Sequence, residues 1–159
     1  MQTTYNFATK KGVAGGLLDL TPKAIDSRVV ESASIEFGCP AYQGTTAGKT
    51  IKDTGSVFDG VTVNGRTTEH DLDGNVVVKK GSSIGVLKYG RIYVQVDSAA
   101  SGIAYGTQVY IDGNKFTNNT AKTAINAIFV GAVENGVAPI ELYNAPYVEK
   151  AAATPGEGG

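Results

Sequence analysis

The sequence predicts an all-β fold: a single antiparallel β-barrel or jelly-roll-like domain, with an extended N-terminal arm and a short disordered C-terminal tail. Two observations predict it. Runs of β-branched and aromatic residues are closed repeatedly by turn dipeptides, at Asn64-Gly65, Asp73-Gly74, Asp112-Gly113 and Asn135-Gly136, and such pairs supply the positive φ angles of tight hairpins. Apolar and polar residues also alternate with the two-residue period of a half-buried strand. With 159 residues, the chain has the length of one domain and one core.

The elements follow in order. Residues 1–20 are an arm, with Tyr5, Phe7, Val13, Leu17, Leu18 and Leu20 set among Gly12, Gly15 and Gly16. They are apolar enough to be buried but too glycine-rich to order themselves cheaply. Residues 21–146 are the β core. Its first segment, "TPKAIDSRVVESA", reads two ways: Thr21-Pro22 opens like a helix and Ile25, Val29 and Ala33 are spaced by four, so helix and strand both remain open. "VFDGVTVNGRTTEH" and "GTQVYIDGNKFTN" read as strand-turn units. In "GRIYVQVD", Ile92, Val94 and Val96 share one face and Arg91, Tyr93 and Gln95 the other. "AINAIFVGAVENGVAPIELYN" alternates through Ile125, Ala127, Phe129, Gly131 and Val133, reverses at Asn135-Gly136 and returns through Ile140 and Leu142. Residues 147–159, with "EKAAATPGEGG", have little to bury and read as a flexible tail.

Composition narrows the function. Charged residues make up 18% of the chain and the formal net charge is −1, so there is no basic field for nucleic acid or anionic lipid. Cys39 is the sole cysteine; it reads as a buried thiol in a reducing compartment and offers no disulfide or thiolate cluster. The N-terminus lacks a secretory leader's apolar core, and no window approaches a membrane span of about 20 apolar residues, so a soluble, unsecreted chain is expected.

Three stretches imitate catalytic motifs. "GSSIG" at 81–85 has the form of a nucleophile elbow around Ser83, but a hydrolase needs a histidine later in the chain, and the only histidine, His70, comes earlier. "GTTAGKT" at 44–50 ends like a phosphate-binding loop, yet it is one residue short between its glycines. "EHDLDGN" gathers Glu69, His70, Asp71 and Asp73, but the spacing fits neither a calcium loop nor a zinc set. It reads as a turn feeding the strand "NVVVKK", with its carboxylates capping backbone N–H groups. No catalytic residue, metal site or cofactor is expected.

The order of "YNFATKKGVAGGLLDLTPKAIDSRVVESASIEFGCPAYQG", "EHDLDGNVVVKKGSSIGVLKYGRIYVQV" and "NAIFVGAVENGVAPIEL" resembles the structural cement, or head decoration, proteins of tailed bacteriophages across residues 5–143. The resemblance lies in the "GVAGGLLDL" arm, Phe37-Gly38, the "VVVKKG" strand and turn, and the glycine of "KYGRIYV". It implies a non-enzymatic protein made in the host cytoplasm and carried on the capsid's outer surface, where it fastens subunits of the major capsid protein. Copies of itself, as dimer or trimer, are the other implied partners; direct nucleic acid and membrane contacts are not. Tyr5, Phe7, Leu17, Leu18 and Leu20 are the expected anchors of an arm lying on a coat subunit or a neighbouring copy. A phage tail or virion-surface receptor- or carbohydrate-binding module is the alternative, with Tyr89, Tyr93, Tyr105 and Tyr110 as candidate contacts.

Overall fold

A computed structural model of the chain describes residues 12–65, 67, 69–143 and the backbone of 147–148. The described residues form twelve strands and no helix. They are β1 (Ala24–Val30), β2 (Ser34–Glu36), β3 (Pro40–Gln43), β4 (Thr50–Lys52), β5 (Val57–Thr62), β6 (Val77–Lys79), β7 (Ser83–Gln95), β8 (Gln108–Asp112), β9 (Lys115–Thr117), β10 (Thr123–Phe129), β11 (Val137–Leu142) and β12 (Tyr147–Val148).

The longest strand, β7, organises the rest. Its first half pairs with β1 on the register Ser27–Gly85 and with β5 through Val61–Leu87. Since β5 pairs with β3, β3 with β4, and β4 with β1, the β5–β7 contact closes a ring of five strands. The second half of β7 pairs with β11, which leads through β10 and β8 to β9. A parallel bridge from Val96 to Phe116 then brings β9 back to the end of β7, so this half also curls into a ring. The all-β barrel expectation holds, with two rings sharing one strand. β2 and β6 form a separate ribbon, whose Ile35 and Val78 pack with Val30, Ala41, Ile51, Ile84 and Val86 of the first ring. A larger cluster, including Phe58, Leu87, Ile92, Phe116, Phe129 and Ile140, fills the second ring and joins it to the first.

The ambiguous segment is a strand. In β1, Ile25 and Val29 are 42% and 38% exposed, while Asp26, Arg28 and Val30 share the opposite face. The reason lies on β5. Asp59 is fully buried and pairs with Arg28 at 2.9 Å, with Lys88 and with Gln43. β1 and β5 are not neighbours in the ring, so the Asp59–Arg28 contact crosses its interior. Asp59 is the residue that β5 inserts between the pairs Ala41–Gly60 and Tyr42–Phe58, and Lys88 is skipped between Ala24–Tyr89 and Ile25–Leu87. Both ion-pair partners therefore sit on bulges, which re-aim a side chain without breaking the strand.

The turns divide. Asn135 and Gly136 both have positive φ, at 53° and 73°, and Glu134 and Val137 exchange both backbone hydrogen bonds, which defines a type I′ hairpin. Between Asp112 and Lys115 only Gly113 is positive, the φ pattern of a type II′ turn at Gly113-Asn114. Asn64-Gly65 is not a hairpin turn: neither residue has positive φ, and Asn64 donates to Gly15 O. Tyr147–Val148, at the start of the segment read as a tail, pair with Phe58 and Val57 of β5.

Candidate functional site

The three motif-like stretches resolve into local structure. Asp71 begins a hairpin tip; its carboxylate accepts from the Asp73 and Asn75 N–H groups at 2.9 and 2.8 Å and from the Asn75 amide. These bonds, those from Asn75 foremost, hold its pKa below the usual value. Asp73 has negative φ and Gly74 takes +84°, so the tip is a three-residue loop of the glycine-bulge kind, with Gly74 N–H donating to Asp71 O. Glu69 accepts from the Lys79 N–H, and His70 bridges to Val76. Ser83 opens β7 opposite Val29, in a strand and not at a strand-to-helix elbow. Among the described residues no group of three or more His, Cys, Asp or Glu is placed to hold a metal ion.

The stretch 44–50 joins β3 to β4, and its N–H groups already have acceptors: Thr45 donates to Glu31 at 2.7 Å and Gly48 to Gln43 at 2.8 Å. The Thr45 and Thr50 bonds pull the Glu31 carboxyl down from 4.5 to about 2. A depressed folded pKa means that this stabilisation is complete above 4.5 and is lost as pH falls through about 2. Glu31→Gln should therefore flatten the acid limb of the melting-temperature profile over that window, and an unchanged limb would show that these bonds do not stabilise the fold. Cys39 is buried, and burial pushes its thiol up to about 12. It should resist iodoacetamide in the native protein and react once urea unfolds the chain; rapid native labelling would contradict this burial.

The arm is the remaining candidate. Tyr5 and Phe7 lie outside the described residues. From Gly12 onward the chain runs along β7 beyond the end of β1. Gly15 N–H donates to Tyr93 O, Tyr93 N–H to Gly16 O, and Leu18 N–H to Arg91 O, at 2.8–3.1 Å. Leu17 forms an antiparallel bridge with Ile92. Glycine is required here: a Cβ on Gly12 would meet the Tyr93 ring at 2.1 Å, and one on Gly15, whose φ is +75°, would meet Asn64 N at 2.6 Å. Leu18 is half-buried, Leu17 is 36% exposed and Leu20 is 94% exposed. Asp19 is tied to Arg91 at 3.1 Å, and Arg91 also faces Glu141 at 3.7 Å. Thr21 first, and Arg91 after it, hold the Asp19 carboxyl below its usual pKa.

The sequence reading gave residues 1–20 as an arm and said nothing of what surrounds the described part of it. Arg91 was visible only as a polar position on an alternating strand, and its carboxylate partners come from residues 19 and 141. Tyr143, 45% exposed, and Tyr105, 73% exposed, lie within electrostatic range of Arg91. Partial burial and the neighbouring Glu141 raise the pKa of the Tyr143 hydroxyl, and Tyr105 also bears on it.

Comparison with known proteins adds what the geometry does not contain. No curated protein matches the chain. Among solved structures, a chain of "The capsid of Myoviridae Phage XM1" shares the fold with a TM-score of 0.60 at 18% identity, covering 87% of this chain and 96% of its own. A family model described as "Structural cement protein (E217 gp24/Pam3 gp6)" matches residues 1–143. A match over that much of the sequence identifies the chain as a member of the structural cement protein family of bacteriophages.

Proposed function

We propose that this protein is a non-enzymatic cement: it binds the outer surface of a phage head and fastens neighbouring major capsid protein subunits. The family match over residues 1–143 carries the reading. In this role the arm anchors, Tyr5, Phe7, Leu17, Leu18 and Leu20, lie on a coat subunit or on a neighbouring copy. The protein acts as a dimer or trimer without direct contact to nucleic acid or membrane. Each contact need only be modest, because units gathered on one shell act at high effective concentration.

The test is co-sedimentation with purified undecorated capsids, followed by heating of the decorated shells. Binding with raised shell stability is expected, and failure to bind would refute the reading. Deleting residues 2–11 removes Tyr5 and Phe7 but spares the hydrogen bonds made by Gly15, Gly16 and Leu18. That variant should keep its melting temperature and bind shells at least about ten-fold more weakly, the scale of losing apolar anchors. Unweakened binding would remove the arm from the interface. Ser83→Ala and His70→Ala should bind as the parent does.

A further inference from the structure

We propose that the exposed face around Arg91, made of Leu20 beside Asp19 of the arm and Tyr89, Tyr105 and Tyr143 from the core, is the surface turned toward a coat subunit. This rests on the cement reading and specifies where on the domain the contact lies. The composition is that of a contact surface, since aromatic residues and arginine are concentrated at the centres of protein interfaces. Tyr89, Tyr105 and Tyr143 are 42%, 73% and 45% exposed, and Leu20 is 94% exposed. Together they form an unusual apolar display for one side of a small domain.

The face is also held in place. Arg91 joins Asp19 of the arm to Glu141 of β11, the Tyr143 hydroxyl engages Glu141, and Tyr105 lies within electrostatic reach of Arg91 and Tyr143. The hydrogen bonds from Gly15 and Leu18 fix the arm's backbone beside Leu17. A partner therefore meets Arg91 and Tyr143 already held in position, which lowers the entropic cost of association.

The occupant follows from the same residues. Arg91 is hydrogen-bonded to Asp19 and faces Glu141 through Nε, which makes no hydrogen bond, and the fully displayed Leu20 beside the tyrosine rings suits an apolar protein surface better than a sugar. Two carboxylates face one guanidinium, leaving one negative charge in excess. A second copy docking through the same face would set that charge against its own image, because a two-fold interface places like patches together. A coat subunit presenting an apolar hollow edged by a cation or N–H donors answers both features.

The experiment compares the parent with Tyr105→Ser, with Tyr105→Ser/Tyr143→Ser, and with Leu72→Ser, a control at a fully exposed residue on the 71–75 hairpin tip. Readouts are co-sedimentation with undecorated shells, sedimentation velocity of the free protein and a glycan array. Shell binding by the double variant should fall at least about ten-fold, the single variant should fall part of the way, and the control should match the parent, all with unchanged melting temperatures. A folded double variant that binds like the parent overturns this surface while leaving the cement reading standing; a parent that does not bind shells overturns both. Loss of self-association without loss of shell binding, or a glycan signal abolished by the tyrosine changes, also overturns it.

Discussion

Replacing Asp59 with alanine is expected to destabilise the domain by about 3–5 kcal/mol, the cost of leaving buried charge without its partner. Asp59 is fully buried, and the side chains of Arg28 and Lys88 that converge on it are only 11% and 14% exposed. Alanine would leave two cations inside the first ring, Arg28 with Asp26 and the Ser27 carbonyl and Lys88 with the backbone carbonyl of residue 59 as their remaining polar neighbours. For a domain of this size the melting temperature should fall by roughly 10 °C or more, and urea denaturation read by circular dichroism measures it. Replacing all three charged residues together, as Arg28→Met/Asp59→Leu/Lys88→Met, should cost far less than Asp59→Ala alone, since an apolar substitute for a complete buried network is often neutral. A single variant as stable as the parent would show that the network contributes little.

Gly60→Ala should be at least as damaging. Gly60 follows the Asp59 bulge with φ at +145°, and a Cβ there would lie 2.2 Å from the Leu87 carbonyl oxygen. That oxygen belongs to the backbone where β5 meets β7, so no side-chain rotation relieves the clash and the ring must open. Loss of cooperative folding, or a destabilisation above about 3 kcal/mol, is expected. Gly48→Ala separates conformation from space: its φ is +70° but nothing lies within 4 Å of its added Cβ, so a loss near 1 kcal/mol is expected. Equal losses at the two sites would refute the steric account of Gly60.

Legibility in the sequence followed the distance between interacting residues. The Asn135-Gly136 hairpin and the alternation of Ile92, Val94 and Val96 were readable because turn chemistry and pleat act within a few residues. β1 was not readable, because its apolar Ile25 and Val29 face outward while Arg28 faces in. That inversion makes sense only once Asp59, 31 residues after Arg28, is known to be its partner. Asn64-Gly65 misled because a turn-prone pair specifies a turn only where flanking strands are free to pair, and here the chain continues alongside Gly85 and Gly15. The arm was read from composition. The residues that hold it, Tyr93 by its backbone and Arg91 by both backbone and side chain, carried no sequence signal, because backbone pairing leaves none.

β7 has a mechanical consequence. The arm's hydrogen bonds to β7 stand across the strand direction and fall on Arg91 and Tyr93, past the midpoint of a strand that runs from Ser83 to Gln95 and belongs to both rings. Tension pulling the arm along that axis loads those bonds together in shear instead of peeling them open one at a time. The load then passes into β1 and β5 at one end of β7 and β11 at the other, so yielding requires sliding a central strand past its neighbours. Pulled along β7 the arm should hold to high force, and the same arm pulled outward, perpendicular to β7, should release at much lower force.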